Sequence, residues 1–441
     1  MIRKIYTLLI LGLCLGFAAC SDDNDGLDPN AAASLRADGS SVFAPGKKWG
    51  YFPSVALAWR INEENFLKNV DAISNLKLRL SWGQSGQCAI DPYQTVGLLG
   101  NSTYSFNNEG AYGFYPKTMS NKELTWETTT QYNLGLDFGF FNNRISGSID
   151  IYKAETRDIL MNRVIPSING YASVMENIGK TESTGVDLTL STVNIQNKNF
   201  SWFSDFSLSH NREKIKELAS GQLKDEANAW FVGEPFKVFY DYKKEGIWQL
   251  GEEAAAAANG QEPGDIKVQD VDGNGVITTD DRIIYSQRPD VTFGFNNTFN
   301  YKGFDLSVFL YARLGQWIAY DYNTTYRINA LENGGNVDYW TPENPTNAFP
   351  RPNKSKSYTQ VTYYSTLKYE DGSFFKIRDI TLGYTFKPEL LKHLNLSKLR
   401  VYATAKNFFT FSKIDNYDPE QGGSISFPMT KQLVFGLNVE F

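Results

Sequence analysis

Lys431-Gln-Leu-Val-Phe-Gly-Leu-Asn-Val-Glu-Phe441 closes the chain, and its reading decides the fold. In an extended backbone, Leu433, Phe435, Leu437, Val439 and Phe441 share one face. Gln432, Gly436, Asn438 and Glu440 share the other, with Val434 the one apolar intruder. A strand of this length, apolar outward and polar inward, fits a tilted pass through a bilayer. A buried edge strand of a soluble sandwich has the same two-residue period, so this stretch alone leaves both readings open.

The alternation recurs upstream. Leu76-Leu78-Leu80-Trp82 and Tyr132-Leu134-Leu136-Phe138 each mark one face of a strand, as do Ile145–Ile151, Val186–Leu190 and Trp202–Leu208. Val291–Phe299, Phe304–Leu310, Ile380–Phe386 and Leu399–Ala403 follow the same rule, and Ser54–Ile61 precedes them all. With a short piece at Ala31–Arg36, this predicts roughly eleven full strands plus one short one. The spacing is more informative than the count. Phe141–Arg144, Val193–Asn199 and Lys302–Gly303 are short links, and Asn62–Asn75 and Lys387–Lys398 have room for a short helix each. Between them lie long segments: Gly83–Leu124, Lys153–Thr184, Asn211–Asp290, Leu314–Asp371 and Ser412–Thr430. Short and long connections alternating along a chain are the topology of an outer-membrane barrel, with tight periplasmic turns and large extracellular loops. A propeller or sandwich has no reason to keep that alternation. The expected fold is all-β: a transmembrane antiparallel β-barrel with long extracellular loops. Phe441, an aromatic last residue, resembles the assembly signal of such barrels.

Composition agrees. Of 441 residues 15% are aromatic, enough for interfacial girdles. A mean hydropathy of −0.38 excludes a helical membrane protein but not a barrel, in which every second strand residue faces a wet lumen. A net charge of −6 without basic blocks gives no support for nucleic-acid binding. The two histidines, His210 and His393, are far apart, and no Ser/His/Asp or Cys/His arrangement presents itself. No enzymatic activity is expected.

Residues 1–19 read as a leader: Arg3 and Lys4 precede an apolar run, Ile5–Ala19, too short to span a membrane as a helix. Phe17-Ala18-Ala19-Cys20 looks like a lipobox, with cleavage before Cys20 and lipid on its sulfur. Ser21-Asp22-Asp23-Asn24-Asp25, within an acidic tether over 20–30, resembles the tag that sends lipoproteins to the cell surface in Bacteroidetes-type bacteria. Cys88 is then a lone thiol, and no intramolecular disulfide is expected.

The sharpest local motif is Asp270-Val-Asp272-Gly-Asn274-Gly275-Val276-Ile277-Thr278-Thr-Asp280-Asp281, inside the long 211–290 loop. It matches a twelve-residue calcium loop, with Asp270, Asp272 and Asn274 at positions one, three and five. Gly275 makes the turn, Val276 offers its carbonyl, Thr278 sits at nine, and Ile277 packs inward. Position twelve is Asp281 rather than Glu, a shorter reach, and the flanks do not read as helices. Calcium with a structural role is the expectation; a metal-free Asx-rich turn is the alternative. Trp230, Phe231, Phe236, Phe239, Tyr240, Tyr242 and Trp248 crowd the same loop, where rings stack on sugars or, more commonly, pack the loop itself. No substrate-binding residue is identifiable from the sequence.

With these residues laid out, the chain resembles the C-terminal part of a SusC/RagA-family TonB-dependent outer-membrane transporter. The likeness rests on Ala33-Ser-Leu-Arg36-Ala-Asp38-Gly39-Ser-Ser41, Trp49-Gly-Tyr51-Phe52-Pro53-Ser54, Trp59-Arg60-Ile61 and Leu76-Lys-Leu78-Arg-Leu80-Ser. It continues through Gly264-Asp265-Ile266, the calcium-like loop, Asp281-Arg282, Trp340-Thr-Pro342-Glu-Asn-Pro345 and Ile380-Thr-Leu382-Gly383-Tyr384, in family order from Ala31 to Phe441. The resemblance implies uptake of oligosaccharides or peptides, a SusD-type surface lipoprotein as lid, residence among outer-membrane lipid and insertion by the barrel assembly machinery. It also implies a plug, a TonB box and a barrel of the 22-stranded type. The 31–441 region holds about half of such a barrel, and the leader looks like that of a SusD-type lipoprotein. A truncated or fused gene product without TonB coupling of its own is therefore expected. The alternatives are a small passive pore closed by pairing of the first and last strands, a surface glycan-binding lipoprotein, or a nonfunctional remnant.

Overall fold

The computed structural model describes residues 29–441 apart from 172, 330–332 and 392–394. The leader, Cys20 and its acidic tether up to residue 28, and His393, lie outside the described residues. Twelve strands form one antiparallel sheet in strict chain order. They are β1 (Pro29–Gly39), β2 (Trp49–Arg60), β3 (Ile73–Gln87), β4 (Glu127–Phe140), β5 (Ile145–Arg157) and β6 (Lys180–Gln196). β7 (Phe200–Glu217), β8 (Val291–Tyr301), β9 (Phe304–Leu314), β10 (Phe374–Thr385), β11 (Lys398–Ser412) and β12 (Gln432–Glu440) complete it.

Every strand expected from the alternation is present, but most are longer. The five-residue signal Val186–Leu190 is the middle of a seventeen-residue strand, β6. The added part, Lys180–Gly185, is polar on both sides, so it carries no alternation to read. The first strand, expected to be short, spans eleven residues. At the C-terminus the ladder ends at Glu440, one residue before Phe441. The two medium links hold a 3-10 turn at Ile61–Glu63 and a helix at Pro388–Leu391.

The register places like with like across the sheet. Leu57 pairs with Leu80, Leu80 with Leu134, Leu134 with Ile151, and Ile151 with Val186. At the far end, Leu382 pairs with Ala403 and Ala403 with Phe435. Because a one-residue slip would turn every side chain over, this outward apolar belt fixes the register strongly. Its exposure is that of a lipid-facing surface: Leu437 is 69% and Phe435 78% exposed. Near the short links the belt ends in aromatic pairs, Trp202 with Phe299 at 5.6 Å and Phe304 with Tyr384 at 4.6 Å, as an interfacial girdle does. The tightest link turns at Lys302 and Gly303, with φ of 46° and 94°. Both positive values suit the two-residue turn whose twist matches the strands.

The opposite face is polar and paired. Arg79 lies 2.8 Å from Asp137 and 2.9 Å from Asp150, and Arg400 forms a two-pronged contact with Asp305. Ser191 donates to Asp205 and Ser307 to Asn296. Among the described residues β1 and β12 each have one neighbour only, so the sheet is open. Closure of a small pore by these two strands, held open as an alternative from the sequence, is not the arrangement found. The two pair with β2 and β11 instead, and no ladder joins them.

Candidate functional site in the long loops

The two longest connections co-fold on the long-loop end of the sheet. Val238–Tyr242 pairs with Arg282–Ser286, Lys244–Ile247 with Ile266–Val268, and Trp317–Ala319 with Tyr369–Asp371. Ile247, Ile266, Val268, Trp340, Tyr364 and Leu367 form their shared core. These residues come from segments a hundred positions apart, which ties the 211–290 and 314–371 loops into one body. Polar groups inside it are satisfied: Trp340 Nε1 donates to Gln249 at 2.9 Å, and the Tyr364 hydroxyl to the Tyr326 carbonyl at 2.6 Å. Gly264 shows why its motif needs glycine. Its φ is +91°, and a Cβ there would sit 2.6 Å from the Trp340 ring. Trp340-Thr-Pro342-Glu-Asn-Pro345 closes as a turn with reciprocal backbone bonds between Thr341 and Asn344.

The calcium-like loop is anchored to this body by Ile277, which packs on the core and whose N–H donates to Asn259 at 3.0 Å. One oxygen from each of Asp270, Asp272 and Asp281 comes within 4.8 Å of the others. Asp270 accepts from the N–H groups of Gly273 and Gly275, at 2.8 and 2.7 Å. Asn274 Oδ1 accepts from Val276 N–H, and Asp272 from Asn274. Asp281 is fully buried and accepts from Thr278 N–H at 2.7 Å and Val271 N–H at 2.8 Å. Those bonds, Thr278's above all, hold its carboxyl below the usual aspartate value. Thr278 caps the 3-10 turn Thr279–Asp281, its hydroxyl accepting from Asp280 N–H at 3.2 Å. Three clustered carboxylates make an all-oxygen, anionic donor set, which fits a hard divalent cation such as calcium, while Asn274 turns its amide nitrogen rather than its oxygen toward Asp272.

The crowded aromatics of the loop pack against protein. Trp230 meets Phe236 at 5.8 Å, Phe231 meets Tyr240 at 4.6 Å, and Tyr242 meets Tyr363 at 4.8 Å. Trp248 is buried, with its N–H on Gln261 at 2.6 Å. Between the two loops lies a cavity of about 380 Å³ whose lining includes Lys244, Tyr285, Trp317, Asn323, Tyr369 and Glu370. Burial pushes the Lys244 ammonium down and the Glu370 carboxyl up. Burial, then the Asp241 carboxylate that accepts its hydroxyl at 3.1 Å, raises Tyr369. None of these residues forms a local motif; only the long-range pairing of two loops assembles them. Equally invisible in the sequence is the buried ammonium of Lys376, 2.6 Å from Asp418 and 2.7 Å from Glu420, which fastens the loop after β11 to the start of β10.

Residues 24–408 match the family model for TonB dependent receptor-like β-barrels. The chain is 34% identical over 438 residues to TonB-dependent receptor P26 of Formosa agariphila, covering 92% of this chain and 44% of that one. It is 34% identical over 443 residues to TonB-dependent receptor SusC of Bacteroides thetaiotaomicron, covering 92% and 42%. The structure of the RagAB peptide transporter superposes with a TM-score of 0.77 at 27% identity, covering 94% of this chain and 46% of that one. The chain thus spans less than half the length of the relatives it matches. The apolar outward belt, its aromatic rim and the long co-folded loops are the features of an outer-membrane barrel wall, and the chain belongs to the TonB-dependent receptor-like β-barrel family of the cell outer membrane.

Proposed function

We propose that this chain forms barrel wall and extracellular loops of a SusC/RagA-type transporter for oligosaccharides or peptides, working beneath a SusD-type surface lipoprotein. The observation that carries this reading is the loop body itself: two long connections folded around one core, enclosing a cavity that presents aromatic rings beside an ammonium and a carboxyl group. Rings offer stacking surfaces for sugars, and opposite charges offer partners for peptide termini and side chains. Similarity to SusC and to the RagAB peptide transporter supports the same class of cargo. The test is binding of peptide and oligosaccharide pools to the protein in detergent. Tyr369→Ala and Glu370→Gln are expected to weaken binding about tenfold or more, the scale of one lost buried polar contact. Retention of both pools unchanged in these variants would remove the cavity from the transport path.

We also propose that calcium occupies the Asp270–Asp281 loop, held by Asp270, Asp272, Asn274, the Val276 carbonyl, Thr278 and Asp281. Its role is structural: it offsets the repulsion of three close carboxylates and stiffens a loop seated on the core through Ile277.

A further inference from the structure

We infer that the outward face of the sheet, at its extracellular rim over β3 to β7, binds an outer-leaflet lipid whose phosphate headgroup carries a net negative charge. This goes beyond the transport reading and does not depend on the cargo. One lateral row crosses these strands: Trp82 pairs with Tyr132, Tyr132 with Lys153, Lys153 with Thr184, and Thr184 with Arg212. The row lies two residues above the apolar row of Leu80, Leu134, Ile151 and Val186, on the same outward face. Lys153 stands eight residues up β5 from Ile145 at the short-link end, about 25 Å along the strand and about 20 Å in height after tilt. With Ile145 at the lower edge, that is about 5 Å below the top of a hydrocarbon band roughly 25 Å tall, within reach of a lysine stem. Trp82 and Tyr132 open the row as girdle residues, and Lys153 and Arg212 carry it on as cations.

The charge above them is not balanced. Glu182 is approached by Lys153 and Lys214 at 3.0 Å each and by Lys216 at 3.8 Å. Glu155 faces Arg157 at 2.5 Å and Lys180 at 3.1 Å. With Arg212, and with Glu217 opposite Lys180, six cations meet three carboxylates on this outward rim. On the neighbouring strands the outward positions near the same rim are aromatic instead, with Phe375 between Phe293 and Phe411 at 6.3 and 6.0 Å. The excess is therefore confined to one sector. Long lysine and arginine stems reach from the hydrocarbon edge into the headgroup layer, where phosphate is the available counter-charge. Below the cations lies an outward groove of about 670 Å³, apolar at Leu80, Leu134, Ile151 and Val186, shaped to take acyl chain. Cations over an apolar groove select an amphiphile with an anionic head, and neither a free anion nor a soluble protein uses both halves.

The full chain, isolated from outer membranes in mild detergent and stripped of lipid, is to be titrated with phosphatidylglycerol or phosphatidylcholine and read by native mass spectrometry. Phosphatidylglycerol is expected to be retained roughly tenfold better, and millimolar inorganic phosphate not to displace it. The variant Lys153→Gln/Arg212→Gln/Lys214→Gln is expected to bind both lipids equally. Glu182→Gln, which removes a carboxylate and frees its lysines, is expected to bind phosphatidylglycerol more tightly than the parent. Equal retention of the two lipids by the parent, or an unchanged preference in the triple variant, overturns the inference. Displacement by inorganic phosphate does so too, reducing the patch to a free-anion site. If the triple variant does not fold, the Glu182→Gln arm decides: no gain, or a loss, overturns the proposal.

Discussion

Asp281 concentrates the behaviour of the calcium-like loop in one side chain. It is buried, and both its oxygens are engaged by backbone N–H groups of Thr278 and Val271. Asp281→Ala leaves two such donors without a partner, at about 1–3 kcal/mol each, and is expected to open the 265–282 region to protease. The carboxyl titrates below its ordinary value of 3.8. A lowered folded-state value means that its stabilising contribution is fully present above the ordinary value and is lost as pH falls through the lowered one. Protection of this loop from hydrogen exchange, taken relative to the intrinsic rate at each pH, is therefore expected to hold at mildly acidic pH and to fall only below about the unperturbed aspartate range. In Asp281→Asn that acid transition disappears. For the metal, Asp270→Ala with Asp272→Ala is expected to abolish calcium-dependent protease resistance, and the wild-type protein to give calorimetric heat with millimolar calcium. A wild-type protein without that heat contradicts the calcium assignment.

Along the strands, the two faces make opposite predictions. On β12, Leu437 lies outward opposite Val401, and Asn438 inward opposite Arg400. Leu437→Arg is expected to cost on the order of 2–4 kcal/mol near the bilayer midplane, and Asn438→Arg much less. Heat-modifiable mobility on gels measures both, and equal losses would mean the faces are reversed. On β10, Lys376 is buried between Asp418 and Glu420. Lys376→Ala leaves Asp418 without its cation and Glu420 with only the more exposed Arg378, a loss of about 3–5 kcal/mol, and is expected to release the 413–430 loop to protease. These elements also show where sequence reading stops. Alternation located all twelve strands because lipid on one side and water on the other impose a period of two. It lost the strand ends, such as Lys180–Gly185, because above the membrane both faces are wet. The long loops read as irregular, yet they hold the hairpins Leu99–Phe106 with Glu109–Pro116 and Leu160–Val164 with Ser173–Asn177. Short ladders set by distant packing leave little period to detect.

At the scale of the whole molecule, the calcium-like residues were legible because a local turn brings them together. The cavity of Lys244, Tyr369 and Glu370 was not, since its walls come from two loops far apart in the sequence that meet only in the folded protein. The orientation of the sheet in the outer membrane puts its apolar belt in lipid and its charged face in a wet lumen. It is tested most directly on β6, where outward Val186, Leu188 and Leu190 alternate with inward Asp187, Thr189 and Ser191. With Cys88→Ser as background, and that parent without an added cysteine as the labelling blank, cysteines placed singly at these six positions, labelled with a fluorophore in outer membranes, are exposed to a quencher carried on lipid chains. Strong quenching is expected at 186, 188 and 190 and little at 187, 189 and 191; uniform quenching along the strand, or none, would contradict this orientation.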